Sequence, residues 1–491
     1  MPQKTVAVIG SGFGGLSAAA LLAKKGFSVT LFEKNEHLGG RASVWEQSGF
    51  RFDMGPSWYL MPDIFERFFG LMGTSAEKLF TLTRLDPAYR IVYGKNEYLD
   101  ISSSLDKNLE LFERLEPGSA AQLKEYLAKA KYQYDVAKNE FLYHTYTSLF
   151  DFLNARLLME GRRLHVFENL DTYVKRFFNN EQLQKILEYS MVFLGGAPSN
   201  TPALYSLMSH IDFELGVWYP EGGLGTVVNA MADLCTAHGV TIKTNEPVTR
   251  IETKNGVATH VVTPQGSYAV DIVVGNADYH HIEATLLAKE AQSYPEKYWK
   301  KRTLAPSAFM LYLGYDRKIP GLKHHTLLFD HDWTEHFNTI FDKPSWPENP
   351  SLYVSCTSKT DPTVAPAGGE TIVVLVPVAA GLEDTDELRT AYRNKIIKHL
   401  SETFGTSFEQ PVVERIVSHR DFTSLFNAYQ GTALGLSHTL LQTAVFRPHY
   451  HSKKVSNLFF SGQYTHPGIG MPMCLIAGEL VADDIQKRYG S

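Results

Sequence analysis

Val6-Ala7-Val8-Ile9-Gly10-Ser11-Gly12-Phe13-Gly14-Gly15 is an apolar run that ends in glycines. Outward from it, residues 16–25 are rich in alanine and leucine and read as a helix. Gly26 stands where a C-cap glycine is preferred, and residues 28–33 return as a second strand. Strand, tight turn, helix and strand make a βαβ beginning, which predicts a parallel sheet. The glycines at 10, 12 and 15 fit GxGxxG. One makes the turn, one lets the backbone approach a pyrophosphate, and one lets helix and strand pack closely. The helix start adds free N–H groups and a positive dipole end. Glu33 lies 18 residues after Gly15 (33 − 15), where a carboxylate can accept ribose hydroxyls. Dinucleotide binding follows; the plain alternative is a glycine turn followed by a solvated acid.

The remainder shows how this unit is embedded. Residues 63–188 read as mostly helical. Strands return at 241–243, 248–252, 257–262 and 272–274, and again at 308–313 and 372–376. Residues 458–460, 462–470 and 473–486 repeat the order strand, glycine loop, helix. Nucleotide-binding character thus occurs at both ends and in the middle of the chain. The fold class is α/β: a Rossmann-like domain (1–70, 222–285, 425–491) interleaved with a mixed-sheet and helical domain (71–221, 286–424) for substrate and membrane contact.

Composition narrows the function. The chain has 491 residues, 44% hydrophobic and 20% charged, with net charge −6, so nothing global attracts nucleic acid. Its three cysteines are far apart, which excludes a CxxC site and suits a reducing cytoplasm. The apolar strand begins too early for a leader peptide, and no apolar stretch is long enough to span a bilayer. Any membrane association is therefore expected to be peripheral. The histidine pairs His280-His281 and His324-His325 project apart in regular structure, and no metal is expected.

Gly39-Gly40-Arg41 supplies a second close approach and a phosphate-binding cation. Placed after the ribose acid, it resembles the amine-oxidase and carotenoid-desaturase branch of flavoproteins, which implies FAD. Near the C-terminal end, Ser461-Gly462-Gln463-Tyr464-Thr465-His466-Pro467-Gly468 leads from a strand toward a helix near Met471 to Met473. That helix could aim its dipole at a flavin edge and stabilise the reduced ring. Gln463 stands where this superfamily tends to place an acid, which points away from amine oxidases.

Over essentially its whole length the chain resembles bacterial phytoene-desaturase-type carotenoid desaturases. The resemblance rests on residues 8–15, 39–41, 49–56, 216–223, 361–366, 427–431 and 465–468. It implies FAD-dependent insertion of C=C bonds into phytoene or a later carotene at a membrane surface. Besides the residues above, it implies cofactor contacts from Gly55, Pro56 and Val248, and a substrate lining that includes Trp218 and Tyr219. His466 is the one candidate proton acceptor, and loop orientation is its plainer role. Cys474 reads as a small buried hydrophobe. The basic and aromatic residues of 149–178 are the candidate lipid contact, with a solvated helix face as the alternative. The chain carries one dinucleotide fingerprint, so quinone or oxygen is the expected electron acceptor rather than NAD(P). The rivals are a carotenoid isomerase using reduced FAD, a flavin amine oxidase and a non-catalytic lipid-binding relative.

Overall fold

The computed structural model describes residues 3–144, 163–443 and 446–490. Thr5–Ile9 is the middle strand of a five-stranded parallel sheet, flanked by Ile272–Gly275 and Ser28–Phe32. Leu458–Phe460 and Thr241–Lys243 form its edges. Val8 lies opposite both Val274 and Leu31, and all three are fully buried. Strands covered on both faces lose alternation and read as continuous apolar runs, which is why residues 6–9 look as they do.

Helices cover one face of this sheet. Phe13–Lys24 packs against Leu224–Ala237 and Met471–Tyr489. A Cβ on Gly478 would lie 2.7 Å from the Ser17 side chain and 2.8 Å from the Gly14 carbonyl, so the two helices meet almost backbone to backbone. The opposite face is covered by the antiparallel strands Arg250–Lys254, Val257–Thr263 and Gly266–Ala269.

A second sheet has seven strands in the order Val413–Val417, Ser307–Tyr315, Glu370–Val378, Leu352–Ser355, His325–Leu328, Tyr89–Gly94, Glu97–Ile101. It is antiparallel except where residues 326–328 run parallel to residues 90–92. Helix Asp386–Phe404 lies on one face through Tyr392, Ile396, Ile397 and Leu400. Helices Leu105–Leu115, Ser119–Val136 and Glu181–Glu188 share an apolar cluster with Tyr89 and Ile91.

Three strands therefore fall inside a region that reads as mostly helical: Leu82–Arg84, Tyr89–Gly94 and Glu97–Ile101. The first four residues of Tyr89–Gly94 are buried, so the pattern does not alternate. The turn after it, with Asn96 at φ 63°, is the signal that marks the hairpin. The strand expected from Val248 starts at Arg250. Of the candidate lipid contact, residues 149–162, with Arg156 and Arg162, lie outside the described residues. Two of its described cations are ion-paired, Lys175 with Asp171 at 2.7 Å and Arg176 with Glu168. Among the described residues no helix is long and apolar enough to cross a membrane.

Candidate functional site

The loop after the first strand is built around its glycines. Gly10 takes φ 97°, and its amide donates to the Phe32 carbonyl at 2.8 Å. A Cβ on Gly15 would lie 2.1 Å from the Gly10 carbonyl oxygen, so that position admits no side chain. One on Gly14 would lie 2.6 Å from Asn276 Oδ1 and 2.7 Å from Ser461 Oγ. Three distant segments thus close on the start of one helix.

Glu33 is 4% exposed and organises the loop. Its Oε2 accepts from the Ser11 amide at 3.0 Å and the Ser11 hydroxyl at 2.6 Å. Its Oε1 accepts from the Asn35 amide at 2.9 Å and from Asn35 Nδ2 at 3.1 Å. A carboxylate has about four lone-pair positions, so a ribose hydroxyl here joins or displaces the hydroxyl of Ser11.

A cavity of about 500 Å³ opens on this loop. Gly10, Gly12, Phe13, Gly14, Glu33, Gly39, Gly40, Arg41, Gly55, Pro56, Val248, Gly462, Gln463, Met471 and Met473 all line it. Gly15 does not, because it packs beneath the turn. A Cβ on Gly40 would lie 3.4 Å from Gly12 Cα, so the two glycine stretches face each other. Gly55 is held against the Arg41 carbonyl, which a Cβ would approach to 2.3 Å.

Arg41 lies over the Phe426 ring at 5.3 Å, and its Nη2 donates to the Thr432 carbonyl at 3.3 Å. Its buried Nε has no partner within the protein. Burial lowers the guanidinium below its ordinary value, while Asp278 and Tyr464 oppose that shift. An arginine stays charged regardless, so a buried cation with an unsatisfied nitrogen fits an anion such as a pyrophosphate. Gln463 Nε2 is likewise buried without a partner. The donors, the glycine cradle and the helix starting at Met471 together fit a dinucleotide flavin.

Several neighbours escape sequence reading. Arg447 is 3% exposed and among the described residues donates to carbonyls, those of Gln463 at 2.7 Å, Gln442 at 3.0 Å, Tyr464 at 3.2 Å and Leu436 at 3.3 Å. It clamps the loop from behind. His438 Nε2 accepts from the Ile469 amide at 3.1 Å, so its Nδ1 carries the proton toward the Tyr205 hydroxyl at 2.6 Å. Burial holds that imidazole neutral, with Arg447 and His466 adding to the effect.

Trp218 and Tyr219 are not on the cavity wall. The Trp218 indole donates back to the Leu215 carbonyl at 2.8 Å, and the Tyr219 hydroxyl donates to Asp361 at 3.0 Å. These bonds tie both side chains to the scaffold on opposite faces of their strand. His466 is also off the wall; its Nε2 donates to the Phe141 carbonyl at 3.2 Å, and burial pushes it down to about 4. That geometry fits the orienting role. Cys474 lines the cavity, and burial pushes its thiol up to about 12.

His324 and His325 do not project apart. Their rings lie 4.5 Å from each other because His324 precedes the strand and alternation does not govern it. Each Nδ1 has a hydroxyl partner, Thr360 for His324 and Tyr353 for His325. Among the described residues one Asp–His–His grouping has ligand-like spacing: Asp330, His331 and His399, within 4.8 Å. The sequence reading did not anticipate it; His399 Nε2 is bound to Asp330 Oδ2 at 2.6 Å.

Comparison with known proteins adds the lineage. A family model described as flavin containing amine oxidoreductase matches residues 13–486. A carotenoid 3,4-desaturase of Haloarcula japonica is 44% identical over 481 residues, covering 97% of each chain. A zeta-carotene-forming phytoene desaturase of Myxococcus xanthus is 35% identical over 486 residues, covering 98% of this chain and 93% of its own. In three dimensions, an oxidoreductase from Methanosarcina mazei superposes with a TM-score of 0.64 at 16% identity, covering 98% of this chain and all of its own.

Proposed function

The chain belongs to the flavin containing amine oxidoreductase family, among its carotenoid desaturases, and from that premise we propose that it introduces C=C bonds into a long polyene with FAD as cofactor. The observation that carries this reading is the continuity of one cavity. It is lined at once by the glycine loops with Arg41 and Pro56 and by the largely apolar set Trp58, Tyr189, Leu207, Met208 and Leu375.

A bound FAD supplies the two-electron acceptor that desaturation of a hydrocarbon requires. The protein's part is positional. Gly12 and Gly40 leave room for the pyrophosphate, and Arg41 Nε offers it a donor. The first turn of the Met471–Tyr489 helix places N–H groups and a dipole end at the cavity wall. The apolar walls hold a flexible chain in one pose and exclude water. In this reading residues 1–70, 222–285 and 425–491 serve the cofactor, and residues 71–221 and 286–424 serve the substrate.

A polyene has negligible solubility in water, which supports delivery from a membrane surface, with residues 149–178 as the contact. Quinone or oxygen would be the acceptor for electrons from a bound flavin. The test is incubation of the purified, flavin-loaded protein with liposomal phytoene and a series of later carotenes. A product lighter by two hydrogens is expected. A product of unchanged mass and altered geometry would mark an isomerase instead.

A further inference from the structure

Three side chains that the flavin site does not use meet beyond the end of one strand of the seven-stranded sheet. Asp330 and His331 follow strand His325–Leu328, in the turn that leads into helix Trp333–Phe341. His399 comes from helix Asp386–Phe404, which packs on the sheet. None of the three lines the cavity. Each offers one ligand atom, and these atoms lie within 4.8 Å of one another. The adjacent histidine pairs could not reveal such a group, because its members come from two distant segments.

The local geometry asks for more than an ion pair. His399 Nε2 and Asp330 Oδ2 are 2.6 Å apart, and the two side chains are only 16% and 12% exposed. Asp330 Oδ1 is buried and finds no hydrogen-bond partner among the described residues. The His331 ring stands 5.1 Å from that of His399, tilted by 46°, so the two are neighbours without being stacked. An ion pair accounts for the 2.6 Å contact. It leaves the second carboxylate oxygen stranded, which is unfavourable for a buried acceptor. A cation among the three satisfies that oxygen and takes a lone pair from each imidazole. Two ligand atoms on one tetrahedral zinc stand about 3.3 Å apart, so Asp330 and His399 open slightly and His331 closes in.

We propose that Asp330, His331 and His399 bind a divalent transition ion of the zinc class, with water completing its shell. Two imidazoles and one carboxylate suit zinc and its neighbours, whereas Mg2+ and Ca2+ prefer oxygen alone. The ion joins the turn at residues 330–332 to helix Asp386–Phe404. Beyond that turn, Trp333 and Phe337 share a small apolar space with Tyr189, Tyr353 and Leu375, and these last three also line the main cavity. The ion therefore braces the structure behind the cavity wall and takes no part in the reaction. The proposal does not depend on which substrate the cavity accepts.

The test is isothermal titration of Zn2+ into flavin-loaded protein carrying no affinity tag. One saturable equivalent is expected at micromolar zinc or tighter, and millimolar Mg2+ should not displace it. His331→Ala and His399→Ala should each weaken binding by about tenfold or more, since loss of an outer-shell partner alone costs about 10–100-fold. Zinc should also raise the melting temperature of the wild type and leave that of His331→Ala unchanged, because a ligand that binds only the folded state stabilises it. Retained flavin absorbance reports folding, and His331→Ala, on a half-buried turn, decides if His399→Ala does not fold. No saturable equivalent at submillimolar zinc, displacement by Mg2+, or equal zinc affinity in wild type and folded His331→Ala overturns the site. Each of those results leaves the desaturase reading untouched, since no carotenoid enters the titration.

Discussion

The amide and the hydroxyl of Ser11 both donate to a single oxygen of Glu33, at 3.0 and 2.6 Å, so the acid holds the phosphate loop as well as facing the cavity. Ser11→Ala removes one of the four donors. We expect a loss of FAD affinity of about two- to tenfold, the ordinary weight of one hydrogen bond. Glu33→Ala removes all four contacts at once and should lose FAD by more than tenfold. Flavin fluorescence titration of the apoprotein measures both. Equal affinity in all three proteins would refute the dual role.

Gly12 and Gly15 should respond differently to alanine. The Cβ at Gly15 collides with backbone, 2.1 Å from the Gly10 oxygen, whereas that at Gly12 meets only Asn276 Nδ2 at 3.1 Å. Gly15→Ala is expected to lower the melting temperature of the apoprotein. Gly12→Ala is expected to leave it nearly unchanged and to weaken flavin binding. Thermal unfolding of both apoproteins separates fold from function, and identical melting curves would contradict the geometry.

Glu188 predicts a slope in stability with pH. It is 5% exposed, and burial together with Asp171 pushes its carboxyl up to about 8, with Lys175 opposing. The folded state thus keeps the proton longer than the unfolded chain. Its contribution is full below pH ~4.5 and is lost as pH rises to about 8. Each pH unit in that window carries about 1.4 kcal/mol at most. Glu188→Gln should flatten the fall in melting temperature across the window. A wild-type slope retained by the variant would show that other groups cause it.

The thiols should be silent. Burial pushes Cys235, Cys356 and Cys474 each up to about 12, so little thiolate exists at pH 8. None should react with a thiol reagent in the folded protein at that pH, and FAD should leave fully on denaturation. A flavin that stays with the precipitated chain would reveal a covalent link, for which Cys474 is the nearest candidate.

Electron transfer out of the site can be tested by supplying one acceptor at a time under anaerobic conditions. Turnover is expected with a quinone, or when oxygen is admitted, and not with NAD(P)+ alone. Sustained turnover with NAD+ and none with quinone or oxygen would expose a nicotinamide site.

Much of the cofactor half is legible because its signals are local. A dinucleotide needs glycines at fixed offsets for its pyrophosphate and an acid one strand later for its ribose, and residues 10–15, 33 and 39–41 carry both in a short span. The same holds for the strand, loop and helix from Leu458 to Met471. The substrate half depends on residues far apart in sequence. Asp330 and His331 are informative only once His399 closes on them, and Arg447 only once the carbonyls of residues 436–464 surround it. Trp218 and Tyr219 mislead because an aromatic pair beside a glycine turn fits a pocket wall and a packed strand equally well. The inner strand Tyr89–Gly94 hides because burial on both faces removes the alternation that would announce it.

The packing of Gly14 against Ser461, and of Ser17 against Leu475, whose carbonyl accepts the serine hydroxyl at 3.1 Å, has a consequence for biosynthesis. The first strand and its glycine turn leave the ribosome some 450 residues ahead of the segment that completes them. At roughly 5–20 residues per second, the nascent N-terminal unit waits on the order of half a minute with one sheet edge and one helix face uncovered. Flavin capture is therefore an event of the finished polypeptide. A ribosome stalled before residue 458 would release a chain that has its phosphate loop in sequence and no closed site to hold the cofactor, which makes that exposed edge a natural client for chaperones.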